Sequence, residues 1–352
     1  MKLFETTATA GHEQVLFCND QASGLKAIIA IHDSRLGAAM GATRLWPYES
    51  EVAALTDALR LSRGMTYKAA CANIPMGGGK AVIIAKPEQK TCELLQAYGR
   101  FIERLNGRFI TGQDINLTPQ DVRQINRETK YVVGTQEKSG GPAPVTAIGV
   151  LLGMKAAAKY RFGSDNLKGL KVAVQGLGNV GQHLCDWLHQ NEVKLFVSDI
   201  NQAKVSKVAR LYGATAVEPE QVYGLDVDIF APCAMGAILN TQTISQMKAS
   251  IIAGSANNQL LDEQVHGEML TDQNILYCPD YVINAGGLIN VYHELIGYQE
   301  KKAISHVHSI YDTLLELFKK AETTGMTTHK ASMQLAEERI TQAEQAQMLV
   351  SA

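Results

Sequence analysis

Short apolar runs of strand length alternate along the chain with longer stretches whose apolar residues recur at helical spacing. In the first third, Ala27–Ile31 (AIIAI) and Ala81–Ala85 (AVIIA) are continuous apolar runs, and both predict strands. Between them, Val52–Arg63 carries Ala54, Leu55, Ala58, Leu59 and Leu61 at the spacing of one helix face. Glycine and proline break the pattern at SGGPAP, Ser139–Pro144, the sharpest candidate for a hinge or domain boundary. Beyond it, Ala147, Ile148, Leu151, Leu152 and Ala156 predict a packed helix over Val145–Tyr160. A regular alternation follows: KVAVQG, a helix through His183–His189, KLFVSD, a helix near Ala203–Tyr212, VDIFAPC and SIIAGSA. Strands alternating with helices imply a parallel sheet covered on both faces. The last forty residues, from about Asp312, read as helical and charged, and no internal repeat stands out.

Composition narrows the partners. At 352 residues the chain has room for two domains, and 46% hydrophobic with 19% charged residues is a globular balance. A formal net charge of -2 provides no basic field for phosphates, so no nucleic-acid partner is expected. No apolar run approaches the ~20 residues that cross a bilayer. The first residues, MKLFETTATAGHEQ, lack the apolar stretch of a secretory signal. No membrane partner is expected, and the scattered cysteines, six in number, suit reduced thiols in the cytoplasm. His306 and His308 stand two apart and would face different ways on a helix, so no metal site is expected.

The strongest chemical signal is the segment from Lys171 to Gly181, KVAVQGLGNVG. It is GxGxxG placed after an apolar strand and before a helix, the context a dinucleotide site needs. Gly176 permits the tight turn, and Gly178 lets the backbone approach a pyrophosphate. Gly181 lets the helix pack closely on the strand, so that the amides around Asn179 and Val180 face the phosphates. The next strand ends at Asp199, about twenty residues beyond Gly178, where a carboxylate accepts from the adenosine ribose. A carboxylate there repels a 2′-phosphate, so the expected cofactor is NAD.

A nucleotide domain does not define a reaction. In Gly64–Lys80, GMTYKAACANIPMGGGK, Lys68 and Lys80 frame a stretch that reads as turn-rich. Its three consecutive glycines are expected to leave the backbone open to a ligand. It is not a phosphate loop of the Walker type, because Ile74 and Ala81 stand where that motif needs glycine and Ser or Thr. Two lysines suit a substrate carboxylate, one pairing with it and the other acting as a base. A carboxylate in the loop Thr111-Gly-Gln-Asp114 could exchange protons with an amine. On spacing alone, ordinary solvated lysines are the competing reading.

LSRGMTYKAACANIPMGGGKAVI, GATRLWPY (Gly41–Tyr48), FITGQD (Phe109–Asp114), VQGLGNVG (Val174–Gly181) and PDYVINAGGLINV (Pro279–Val291) together resemble the Glu/Leu/Phe/Val dehydrogenase family. The matches span nearly the whole chain in the family's order, and its shorter leucine-, phenylalanine- and tryptophan-specific members are the most similar. The resemblance implies an α/β protein of two domains with a cleft between them. Residues 1–136 would be the substrate-binding and oligomerisation domain, joined by a C-terminal helix at about 326–352. Residues 137–325 would be a doubly wound Rossmann domain binding NAD.

The implied activity is reversible oxidative deamination of an L-amino acid to its 2-oxo acid, ammonia and NADH, in a homo-oligomer of two or more subunits. By the same resemblance Lys68 binds the substrate carboxylate, Lys80 is the general base that activates water, and Asp114 shuttles protons to and from nitrogen. Thr146, Asn258 and Asn284 resemble residues near the cofactor. Met40, Gly41, Ala42, Met65, Gly112, Leu288 and Val291 fall where the family lines its side-chain pocket. The leucine enzymes usually carry Ala where Gly112 stands and Val where Leu288 stands, so this pair resembles the aromatic-specific branch. Met40 and Met65 would give soft walls that suit aromatic rings. The expected substrate is aromatic, tryptophan first and phenylalanine next, with leucine or another branched-chain amino acid as the alternative.

Two other classes compete. A silent NAD-binding regulator would not need Lys68, Lys80 and Asp114, all present here. A 2-hydroxy-acid dehydrogenase would use a His–carboxylate pair and an arginine, an arrangement with no evident match.

Overall fold

The computed structural model describes residues 11–134 and 140–351, with the side chains of 347–351 left aside. The boundary expected at residue 136, and Ser139 of SGGPAP, lie outside the described residues. The described chain forms two compact units. The first takes in Met1–Lys138, Glu294–Gly297 and Ala336–Ala352, and the second takes in Ser139–His293 and Tyr298–Leu335.

In the first unit, strands β1 (Gln14–Asp20), β2 (Leu25–Asp33), β3 (Ala39–Met40), β4 (Thr43–Trp46), β5 (Gly77–Ile84) and β6 (Phe109–Ile110) make one mixed sheet. β1, β2 and β5 pair antiparallel, while β3 and β4 run parallel to β5 and β3 runs parallel to β6. The middle of β2, Ala27–Ile31, is apolar throughout because both its faces are covered. Ile28 and Ala30 pack with Ala54, Leu55, Ala58 and Leu59 of helix α1 (Glu51–Cys71). Ile29 and Ile31 pack with Leu94, Leu95, Tyr98 and Ile102 of helix α2 (Cys92–Arg104). Helix α3 (Pro119–Asn126) closes the same core through Val122 and Ile125.

Ser50 caps the start of α1 by accepting from the Ala53 amide, and the helix then runs further than its apolar periodicity predicts. The stretch expected to be turn-rich is therefore mostly regular: Gly64–Cys71 is helix, and Gly77–Lys80 is strand. The glycines do not open the backbone to a ligand either. A Cβ on Gly78 would fall 2.2 Å from the Thr66 amide nitrogen of α1, and one on Gly79 would fall 2.7 Å from the Phe109 ring. They are small because a helix and a side chain are packed hard against the strand.

In the second unit, β7 (Lys171–Gln175), β8 (Lys194–Ser198), β9 (Thr215–Ala216), β10 (Ile229–Pro232), β11 (Ile251–Ile252) and β12 (Leu276–Tyr277) form a wholly parallel sheet in the order β12-β11-β10-β7-β8-β9. This is the doubly wound Rossmann arrangement expected from the strand–helix alternation. The strand order reverses between β7 and β10, where such sheets bind ligands beyond their carboxyl ends. Helix α4 (Pro142–Phe162) opens on Pro142 and ends at Gly163, whose φ of 81° supplies a left-handed cap. Helices α5 (Asn179–Gln190) and α6 (Gln202–Tyr212) follow β7 and β8. After the short α7 (Thr241–Ile244), α8 (Val265–Asp272) and α9 (Asp280–Ile283) comes α10 (Gly286–Leu295). The charged C-terminal stretch is two helices, α11 (Glu300–Thr324) and α12 (Thr328–Ser351), separated at Gly325 with φ 66°. α11 begins well before Asp312.

Candidate active site

Lys80 sits inside β5 opposite Ala30 and is 6% exposed, so its ammonium must find a partner. It donates to Asp114 Oδ2 at 2.5 Å. Asp114 lies in the loop after β6, and that loop is tied to β4 along its length. The Thr43 amide donates to Gly112 O (2.9 Å), the Leu45 amide donates to Ile115 O (3.1 Å), and Asn116 Nδ2 donates to Leu45 O (3.0 Å). Asn116 makes the turn with φ 59°, a conformation asparagine tolerates better than most residues. Beneath the loop Thr43 Oγ1 meets Tyr98 Oη (2.6 Å) and Thr111 Oγ1 (2.5 Å), so the buried hydroxyls satisfy one another.

A second cation faces the same carboxylate. Arg44 Nε lies 3.4 Å from Asp114 Oδ2, while its Nη1 donates to Asp57 Oδ2 at 2.9 Å and Tyr48 Oη donates to that oxygen at 2.5 Å. Burial pushes the Asp114 carboxyl upward. The Lys80 ammonium, the Arg44 guanidinium, the Lys80 hydrogen bond and the Ile115 amide outweigh it and hold the group below the usual carboxylate range. The site thus contains an ionised carboxylate in hydrogen-bond contact with a buried amine, the parts a proton transfer needs.

Lys68 is half-buried in the last turn of α1, where the helix dipole favours a cation. Thr66, two residues earlier, backs onto Gly78, two residues before Lys80, so α1 crosses β5 close to both lysines. Met40 is buried in β3, in register with Gly78 and Ile110. Gly41 has no room for a side chain: its Cβ would collide with Gly79 O. Ala42 and Met65 are half-buried. Gly112 is buried, and a methyl there would press to 3.2 Å on Val133 Cγ2. Leu288 and Val291 are half-buried on α10 of the second unit.

The nucleotide fingerprint has the geometry its chemistry requires. Gly176 has φ 98°, and a Cβ on it would strike the Ala234 amide nitrogen at 2.7 Å. Gly178, the N-cap of α5, has open space where a side chain would be, while a Cβ on Gly181 would lie 2.0 Å from Gly176 O. No side chain caps α5 and no acidic residue stands in its first turn, which leaves the amides around Asn179 and Val180 to an anion. Asp199 follows β8 and accepts from the Leu177 amide (2.6 Å) and the Asn201 amide (2.8 Å), which fixes it against the glycine turn. Gln175 Oε1, Ser198 Oγ and Asn284 Oδ1 are buried with no hydrogen-bond partner among the described residues. An open, donor-rich turn beside unsatisfied polar atoms fits a dinucleotide.

The remaining candidates play local roles here. Thr146 Oγ1 donates back to Pro142 O (2.8 Å) in the first turn of α4. Asn258 is exposed with φ 50°, and its carbonyl accepts from the Ala237 amide. Asn284 Nδ2 donates to Ser255 O and Asn257 Oδ1. Arg44, Tyr48 and Asp57 escaped the sequence reading, although two of them stand in GATRLWPY. Among the described residues no group of three potential metal ligands gathers, and no helix is long and apolar enough to cross a membrane.

Comparison with known proteins agrees with this geometry. The Glu/Leu/Phe/Val dehydrogenase dimerisation domain matches residues 12–138, and the glutamate/leucine/phenylalanine/valine dehydrogenase domain matches 139–207 and 195–347. The chain is 66% identical over 340 residues to L-tryptophan dehydrogenase of Nostoc punctiforme, covering 97% of this chain and 96% of that one. It is 52% identical over 344 residues to leucine dehydrogenase of Bacillus cereus, covering 97% and 94%. The crystal structure of the Nostoc punctiforme enzyme superposes with a TM-score of 0.87 at 64% identity, over 97% of this chain and 99% of that one. This chain belongs to the Glu/Leu/Phe/Val dehydrogenase family and is an amino-acid dehydrogenase working with a pyridine nucleotide.

Proposed function

We propose that the protein oxidatively deaminates an aromatic L-amino acid, tryptophan before phenylalanine, with NAD. The likeness to the Nostoc punctiforme tryptophan enzyme carries this substrate reading, beside the resemblance of Gly112 and Leu288 to the aromatic-specific branch. Asp199 favours NAD, since its carboxylate suits a ribose hydroxyl and opposes a 2′-phosphate. The dimerisation-domain match supports a homo-oligomer, and a cytoplasmic setting suits reduced cysteines.

Bound nicotinamide supplies the hydride acceptor. The chain's own residues hold the substrate and move protons. Lys68 pairs with the substrate carboxylate. Asp114, ionised at rest, takes a proton from the substrate nitrogen. Lys80, after its ammonium has released a proton to solvent, takes a proton from water as the water attacks the imine carbon, and Asp114 returns a proton to nitrogen so that ammonia leaves the carbinolamine. The short Lys80–Asp114 hydrogen bond lets a proton pass between those events. Amino acid, water and oxidised nucleotide thus give 2-oxo acid, ammonium, reduced nucleotide and one proton. Met40, Gly41, Ala42 and Met65 in the first unit, and Leu288 and Val291 in the second, are assigned to the substrate side chain by the family resemblance, and Thr146, Asn258 and Asn284 to the cofactor.

Steady-state kcat/KM for L-tryptophan, L-phenylalanine and L-leucine, each with NAD and NADP, tests the reading. Tryptophan with NAD is expected to lead. A preference for leucine defeats the substrate assignment, and a preference for NADP defeats the role of Asp199.

A further inference from the structure

Arg44 is a charged side chain without an obvious task. It projects from a short strand inside the sheet, its side chain is only 20% exposed, and burying a guanidinium is costly. A buried arginine kept only for stability would be expected to spend its donors on surrounding carbonyls. Here one edge is clamped by Asp57, itself gripped by Tyr48. The other edge presents Nε to Asp114 at 3.4 Å, and that Nε has no hydrogen-bond partner among the described residues. The guanidinium lies within ion-pair distance of the carboxylate and is held there from behind.

We propose that Arg44, anchored by Asp57 and Tyr48, is a positioning residue that holds Asp114 ionised and beside Lys80, and so lowers the pH at which the Lys80–Asp114 pair becomes competent. The inference rests on Asp114 being the proton-exchanging group. Among the described residues, few charges face that carboxylate. Lys80 approaches from β5 and Arg44 from β4, with Asp57 of α1 and Tyr48 one step behind. Lys90 grips the neighbouring Asn116 carbonyl, but its charge is paired with Asp121. Lys80 changes its own proton during the cycle, so it cannot be a constant counter-charge. An arginine keeps its proton throughout, and among the described residues Arg44 is the one that supplies a fixed positive charge at Asp114.

The test is the pH profile of kcat/KM for deamination. In Arg44→Gln the acid limb should move to higher pH by about one unit, with kcat falling more than KM rises at the optimum. Arg44→Lys should bring the limb most of the way back. Tyr48→Phe, which removes one hydroxyl from the anchor, should shift it in the same direction by less, and it decides the matter if Arg44→Gln does not fold. An acid limb that coincides with wild type in the folded variants overturns the proposal. Asp114→Asn separates the two levels of the account. If it turns over like wild type, the proton-transfer reading itself fails. If it is inactive while the limb of Arg44→Gln stays in place, only the role of Arg44 fails.

Discussion

Lys80 and Asp114 hold each other where neither would be tolerated alone. An unpaired ammonium at the depth of Lys80 would lose several kcal/mol of hydration. The 2.5 Å contact with Asp114, with Arg44 alongside, replaces that hydration. The pair therefore stabilises the fold as well as serving the proposed chemistry, with a defined sign. Asp114 has its folded pKa lowered, so its contribution is present above the unfolded value near pH 4 and is lost as pH falls through the folded value. Chemical denaturation of wild type and Asp114→Asn should differ by a constant margin from pH 7 down to about pH 5. Below that the margin should close, as the wild-type carboxyl protonates and comes to resemble the amide. A margin unchanged down to pH 3 would show that Asp114 is not ionised in the folded protein. The residue types of this pair were legible in the sequence as a lysine and a nearby loop carboxylate. Arg44 was not, because its anchor Asp57 is on a different element and nothing in the local pattern joins them.

Among the elements, the crossing of α1 over β5 sets the site. Three glycines followed by a lysine suggested an open loop, but the triplet is an interior strand stretch lying under a helix. The misreading has a physical cause. The apolar periodicity of α1 fades after Arg63, because the buried face continues through Thr66, Ala69 and Ala70, small residues that carry little hydrophobic signal yet allow the backbones to approach. The strands of the second unit were far more legible, since a parallel sheet covered on both faces writes itself as unbroken apolar runs. The close crossing makes a prediction. A Cβ on Gly78 would lie 2.1 Å from Thr66 Oγ1 and 2.2 Å from its amide nitrogen, so the helix must move away. Gly78→Ala should lower stability by about 1–3 kcal/mol in urea denaturation and raise KM for the amino acid as Lys68 is displaced. A stability and KM equal to wild type would mean that α1 does not need this contact. Arg339 of α12 reinforces the same helix end by donating to Cys71 O (2.6 Å) and Ala70 O (3.3 Å).

Across the whole molecule, the chemistry is divided between two cores. Each unit has its own sheet and packs its own apolar residues, and in the proposed mechanism each carries a separate part of the reaction. The second holds the glycine turn and Asp199, and the first holds the lysines and Asp114. The sequence exposed this division through the GxGxxG strand–helix unit and the change of pattern near SGGPAP. It did not reveal that Glu294–Gly297 returns to the first unit, where Glu294 accepts from the Gly134 amide at 3.0 Å, because a four-residue excursion leaves no periodic trace. Nucleotide binding and proton transfer should therefore be separable by mutation. The most direct test of the central claim is turnover of L-tryptophan by Lys80→Ala, with NADH affinity measured by fluorescence on the same preparation. The account predicts unchanged NADH affinity and a kcat lower by about 10²–10⁴. A variant that binds NADH normally and turns over at the wild-type rate would contradict it.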